Sequence, residues 1–430
     1  MSITRSVRIL AVGAVLALSL TACAGNSGSG NAGASGPVTL TLWHDAADPD
    51  TNLNLYKAYE QATGNTINLV DLPTDTFTTA VQTKWAAGDR PDLMEYNPSS
   101  QDMAQLNVTE NMQDLSSLGF VKAEGGLATS AGSVNNVTYA AILGPLQSFG
   151  LYYNKAILSS LNLQVPTNAD AMTAACQTIK GAGKTPIFMA GGSEFPTMML
   201  QGFAYMADYN VNDVFGLGVK NGTTKVNDPS GPLVGALTWY DQLNKSGCFN
   251  SDAVTAQFPD GVKAVLNGDA AFIALPSDMI NDFVNAANGD ADAAYQAVGF
   301  SAFSAVKGMT SYAPGQIGTY FAPKTGDATR EAAARNFIDW ATTTGYQQYL
   351  NDGQVIPTLS GFTTPALTGL RQDMAKMLTS DNKAIAFNVS IPGFGNFGGV
   401  CVKLLAGQST PQSAADEFQN FIDQAIAAQS

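Results

Sequence analysis

Apolar and polar positions change rhythm along this chain at nearly regular intervals. Residues 38–44, VTLTLWH, alternate and are rich in β-branched side chains, the pattern of a half-buried strand. TNLNLYKAYEQATG (51–64) then carries apolar residues at helical spacing and closes on Gly64, placed for a helix C-cap. NTINLVDL (65–72) is a second strand, DTFTTAVQTKWAAG (75–88) a second helix and PDLMEYN (91–97) a third strand. Strands alternating with helices predict a mostly parallel sheet covered by helices. Ligands of such sheets bind beyond the carboxyl ends of the strands, where WHDAAD (43–48) and EYNPSS (95–100) gather aromatic and hydrogen-bonding groups.

A second alternating region begins near Gly150. FGLYYNKAILSSLNL (149–163) leads into a helix. PTNADAMTAACQTIKGAG (166–183) is another, with Thr167 or Asn168 near its start. TPIFMAGG (185–192) is a strand, and GVKAVLNGDAAFIALPSDM (261–279) reads as helix, glycine turn, strand and exposed loop. GTYFAPKT (318–325) is a late strand, DATREAAARNFIDWATTTGYQQYL (327–350) one long amphipathic helix and QSAADEFQNFIDQAIAAQ (412–429) a last helix. No repeat of 20–50 residues is present.

The first residues follow another logic. Arg5 and Arg8 precede an apolar run from Ile9 to Leu20, too short to span a bilayer stably, and Ala22 stands before Cys23. That is a secretory signal, and Leu20-Thr21-Ala22-Cys23 resembles the bacterial lipobox. Cleavage there would leave Cys23 to carry acyl chains, several of which anchor stably. An ordinary secreted protein is the alternative. AGNSGSGNAGASG (24–36) has nothing with which to build a core and reads as a flexible tether.

Composition narrows the rest. Mature chains of about 400 residues usually divide between two cores. A hydrophobic fraction of 45% with 13% charged residues describes a well-packed globular protein. The net charge of −14 argues against nucleic acid or anionic lipid as partner, since both need basic surface. One histidine and no Cys-x-x-Cys spacing leave metal ligation poor. With Cys23 acylated, Cys176, Cys248 and Cys401 remain, and an exported chain permits one disulfide and a spare thiol. Cys176–Cys248 is the favoured pair, because both fall in one predicted lobe; three unpaired buried cysteines are the alternative.

In order and spacing, these pieces resemble the extracellular solute-binding proteins of ABC importers, specifically the large carbohydrate-binding group (family 1, maltose-binding-protein-like). The resemblance runs from Val38 to the C-terminus. It rests on VTLTLWH, AAGDRPDLMEYN (86–97), LYYNKAIL (151–158), VLNGDAAFIALPS (265–277), DATREAAARNFIDWATTTGYQQYLNDGQVIPT (327–358) and LLAGQSTPQSAADEF (404–418). It implies an α/β fold of two lobes with a ligand cleft between them: a signal peptide at 1–22, a tether at 23–36, lobe 1 from 37–147 and 318–355, and lobe 2 from 150–313 and 357–430. Crossings between lobes would lie near Gly144-Pro145, Gly315–Gly318 and Val355–Pro357. The implied function is a lipid-anchored, monomeric, non-enzymatic receptor at the outer face of the membrane. It would need no cofactor, bind a mono- or oligosaccharide and present it to permease subunits.

Sugars offer flat apolar faces ringed by hydroxyls, so a sugar site combines aromatic platforms with polar groups. Matching the family pattern piece by piece places His44 and Asp45 at the end of the first strand, with His44 as a hydrogen-bond donor. Phe77 would face the cleft or sit in the core. Tyr96 falls where a stacking aromatic is expected, and Gln147 lies in the first crossing strand. Glu194 and Phe195 belong to a pocket loop. Ser277 stands where an aromatic is usual, with Asp278 as a compensating acceptor, and Phe394 among glycines is an exposed anchor. The rival readings are a receptor for another small solute and a cell-surface glycoside hydrolase. The hydrolase lacks support, since no Gly-x-Ser-x-Gly occurs and a Ser-His-Asp triad would have to use His44.

Overall fold

The computed structural model describes residues 36–428 apart from 47, 74, 75 and 380; the signal segment and Cys23 lie outside the described residues. Pro37–Ser430 forms one compact unit. Its strands in chain order are β1 (Thr39–Asp45), β2 (Thr66–Leu72), β3 (Leu93–Glu95), the short pair β4 (Ser133–Val134) and β5 (Val137–Thr138), β6 (Ala140–Ile142), β7 (Leu146–Asn154), β8 (Thr185–Ile187), β9 (Ala270–Pro276), β10 (Val298–Ala302), β11 (Thr310–Pro314), β12 (Thr319–Phe321) and β13 (Lys383–Ile385).

Two large sheets result. The first runs β2-β1-β3-β12-β6; the second runs β13-β11-β7-β9-β8, with β10 also paired to β7. Alternation in β1 sends Leu40 and Leu42 to one face, against Tyr59, Phe337 and Ile338, and Trp43 to the other, against Phe77, Val81 and Tyr96. In β7, Leu151 faces a core that includes Phe203, Phe387 and Phe397, while Tyr152 faces Ile273, Phe283 and Phe300. Each sheet is thus packed on both faces, which is what makes an α/β lobe.

The helices largely follow the apolar period. Asp50–Thr63 ends at Gly64 with φ 75°, its N–H returning to the Glu60 carbonyl. Ala169–Gly181 is capped by Asn168, whose side chain accepts from the Ala171 N–H. The expected long helix over 327–350 is instead two, Ala328–Thr342 and Tyr346–Gly353. The chain breaks at Thr343, and a side chain at Gly345 would collide with the Trp340 ring packed over it. The sheets are also mixed rather than mostly parallel. β1 runs parallel to β2 and β3, but β12 runs against β3 and β6, and β7 runs against β9, β10 and β11. Chain segments that leave one sheet, enter the other and return must pass in opposite directions, and period alone does not report direction.

The passages between sheets touch one another. β6 leads to β7 through Leu143-Gly144-Pro145, and β11 leads to β12 through 315–318. The Leu143 and Gly144 N–H groups donate to the Gly318 carbonyl at 2.8 and 3.0 Å. Gly318 has φ 72°, and a Cβ on Gly144 would strike the Ile317 carbonyl, so glycine is required at both places. The 355–358 segment is tied to the same place. The Thr358 hydroxyl donates to the Ile142 carbonyl at 2.6 Å, and the Tyr346 hydroxyl donates to that of Leu143 at 3.2 Å.

Cys176 and Cys248 are joined, with Cα atoms 5.7 Å apart, linking the helix Ala169–Gly181 to the loop after the helix Pro232–Lys245. Cys401 is free and buried.

Candidate ligand-binding site

The carboxyl end of β1 is polar because its last two side chains, His44 and Asp45, leave the apolar period. Both are buried. His44 Nδ1 lies 3.1 Å from Asp48 Oδ2, and Nε2 lies 2.8 Å from Asp71 Oδ1 at the end of β2. Burial pulls the His44 pKa down, but the bonds and charges of Asp48 and Asp71 outweigh it and leave it raised. Asp45 accepts from the Gln316 amide at 2.8 Å, which ties β1 to the second crossing.

Glu95, at the end of β3, is wholly buried. Its Oε1 accepts from Asn52 Nδ2 and from the Gly318 N–H, both at 2.8 Å. Burial drives its carboxyl well above the usual range, and Asp48, to which it is hydrogen-bonded, pushes the same way. Two carboxyl groups can bond to each other only when one of them keeps the proton. Glu124 repeats the arrangement at the first crossing: Oε1 accepts from the Ile142 N–H at 2.7 Å, and burial pushes its pKa up to about 8.

Several residues expected at the ligand are buried instead. Tyr96 is fully buried, its hydroxyl accepting from Gln82 at 3.2 Å, and Phe77 lies beside it with ring centroids 6.5 Å apart. Phe394, expected as an exposed anchor, is only 8% exposed. Its ring is packed 5.3 Å from Phe203 and Phe387 and 5.5 Å from Phe397, because the left-handed Gly393 turns it inward. The loop at Ser277 is not exposed either: its Oγ accepts from the Ser148 N–H at 3.0 Å and its carbonyl from the Tyr152 hydroxyl at 2.6 Å.

Other expected residues are brought together or left accessible. Gln147 donates to Asp278 Oδ2 at 2.7 Å beside Gly315, and burial raises the Asp278 pKa. The second oxygen of Asp278 is buried without a hydrogen-bond partner. Glu194 is exposed and held at φ 58°, a left-handed conformation that a glutamate adopts only where surrounding structure enforces it. Phe195 is half-buried, 5.3 Å from Phe258. Among the described residues, no group of three or more His, Cys, Asp or Glu could hold a metal ion, and no helix is long and apolar enough to cross a membrane.

Two sheets, each packed on both faces and joined by adjoining crossings, make a two-lobed α/β architecture. The family model for bacterial extracellular solute-binding proteins matches residues 47–348. The chain belongs to that family. A chitin oligosaccharide binding protein has the same fold: TM-score 0.73 at 20% identity, over 91% of this chain and all of that one. So do the GacH receptor of Streptomyces glaucescens, solved unliganded and with acarbose (0.70 at 16%, 91% and 99%), and a Bacillus licheniformis sugar transporter in complex with stachyose (0.65 at 18%, 90% and 100%). No curated protein sequence matches this one.

The partners that make this solute-binding protein's polar groups cohere do not stand out in the sequence. Asp48 closes the stretch WHDAAD, but Asp71 and Gln316 belong to no pattern that marks them. Glu95 in the stretch LMEY (93–96) is the available signal, a lone charge among residues that all go inside.

Proposed function

We propose that this protein is a lipid-anchored receptor of an ABC importer, which takes an oligosaccharide between its lobes and hands it to the membrane permease. The observation that carries this reading is the pair of sheets joined at Gly144 and Gly318 in a chain of this family. Sugar is the favoured solute because proteins of this fold are described with chitin oligosaccharide, stachyose and acarbose. The acidic, histidine-poor composition suits a neutral ligand better than a phosphate ester. Lobe 1 comprises 37–147 and 318–355, and lobe 2 comprises 150–313 and 357–430. Gln147, Glu194, Phe195 and Asp278 contact the solute, with Asp45 at the crossing. His44, Phe77, Tyr96, Ser277 and Phe394 form the wall behind them. Cys23 carries the lipid, residues 24–36 tether a monomer, and no chemistry is performed on the solute.

The test is a thermal-shift screen of the protein from Gly36 onward against mono- and oligosaccharides, with amino acids, peptides and phosphate esters as controls. Ligand at 100 times its Kd should stabilise by about 2.7 kcal/mol. A hit confined to the controls would discard sugar, and steady consumption of a sugar would revive the hydrolase. Loss of membrane association in Cys23→Ala would support the anchor.

A further inference from the structure

Away from the crossings, two segments meet across the lobes. The helix Ser100–Gln105 follows β3, and its Met103 lies in the core of the first sheet with Trp43 and Tyr96. Opposite it, Phe215 of the helix Val214–Lys220 and Phe394 lie in the core of the second sheet with Phe387. Gln101 Oε1 accepts from the Gly395 N–H at 2.7 Å, and Lys220 Nζ donates to Ser100 Oγ at 3.4 Å.

Both sides are fixed before they meet. Ser99 caps its helix by accepting from the Asp102 N–H at 3.1 Å, and its hydroxyl donates to the Asp102 carboxylate at 2.5 Å. Asp102 also bonds the Tyr96 hydroxyl, so the turn carrying Ser100 and Gln101 is braced against the first core. On the other side, Gly395 follows the wedged Phe394 ring, which holds its N–H in place. A Cβ on Gly395 would lie 2.6 Å from Gln101 Nε2, so the approach uses the bareness of glycine. Both bonds run from one lobe to the other, so opening of the lobes would part them.

We propose that Ser100 and Gln101 on one lobe, with Lys220 and Gly395 on the other, form a latch that sets how readily the receptor closes, whatever solute it carries. The proposal rests on the reading of this protein as a receptor whose lobes close. A direct lobe-to-lobe bond favours the closed form by its own free energy and so raises the affinity for every solute that needs closure. A net hydrogen bond corresponds to about a two- to tenfold shift in the closed-to-open ratio. These positions therefore tune affinity without choosing the sugar.

The test needs no solute. Dyes placed through Lys57→Cys and Lys184→Cys, both exposed, report the distance between lobes by single-molecule energy transfer; Cys401 is buried and the other described cysteines are paired. Gln101→Ala and Gly395→Val should each lower the closed-to-open ratio of solute-free protein about two- to tenfold. Ser100→Ala with Lys220→Met should cost no more than either change alone. A free protein with no closed fraction, or an unchanged ratio in both Gln101→Ala and Gly395→Val, overturns the latch. So does lost solute affinity with an unchanged ratio, which would make Gln101 a solute contact and leave the receptor intact. A shifted ratio in a protein that binds no sugar would keep the latch and remove sugar from the proposed function.

Discussion

The interiors of the two lobes are built from different materials. Beside the first sheet, Asp48, Glu95, His44, Tyr56 and Tyr320 share one hydrogen-bonded cluster, with the Tyr56 and Tyr320 hydroxyls 3.1 Å apart. Beside the second, Phe203, Phe387, Phe394, Phe397 and Phe418 pack ring against ring at 4.6–6.5 Å. A phenylalanine cluster loses the same contacts at any pH. A carboxyl cluster is only as stable as its protons, because an unshared buried charge is expensive. The carboxyl cluster should therefore answer to pH and the phenylalanine cluster should not.

Truncation gives the largest effect. Phe397→Ala should cost about 3–5 kcal/mol, equally at pH 5 and pH 8, by chemical denaturation. A pH-dependent loss would break the contrast. Removing the Cys176–Cys248 bond, which spans 72 residues in the same lobe, should cost roughly 2–5 kcal/mol, again without pH dependence.

Glu124 sharpens the other side. Its folded pKa of about 8 lies above the ordinary carboxylate value, so the folded protein holds this proton more tightly than the unfolded chain does. Its contribution is full below the unfolded pKa, falls as pH rises and is lost above about 8. A tenfold difference in proton affinity between the folded and unfolded chain is worth about 1.4 kcal/mol. Glu124→Gln should thus gain about 1–3 kcal/mol at pH 8 and little at pH 5, flattening the stability profile. A profile as steep as the parent's would assign the pH dependence elsewhere.

His44 gives the smallest effect. With its pKa raised in the fold, its ion pairs help fully below the ordinary histidine value and fade as pH climbs through the raised one. Asp71 is 72% exposed at its side chain, so screening leaves Asp71→Asn, which removes only that pair, a cost of about 1 kcal/mol or less at pH 6, shrinking by pH 8.

Much of the fold can be read from the residues, because period and punctuation are local properties. Gly64 at a helix end and Asn168 at a helix start are decided by their own neighbours. The break at Thr343 escapes such a reading because it depends on Trp340 folding back over Gly345. The site is less legible for a related reason. An aromatic in a glycine-rich stretch reads equally well as an exposed platform or a buried wedge, and only Phe203, Phe387 and Phe397, distant in sequence, decide for Phe394. Gln147 and Asp278 are each identifiable, but not that they bond to each other across 131 residues.

Gly144 and Gly318 meet backbone to backbone, with no side chain between them. Such a contact works as a bearing with nothing protruding from either surface. In the closure proposed above, the lobes would turn there on bare backbone, and no side chain at that one contact would have to be released or reseated.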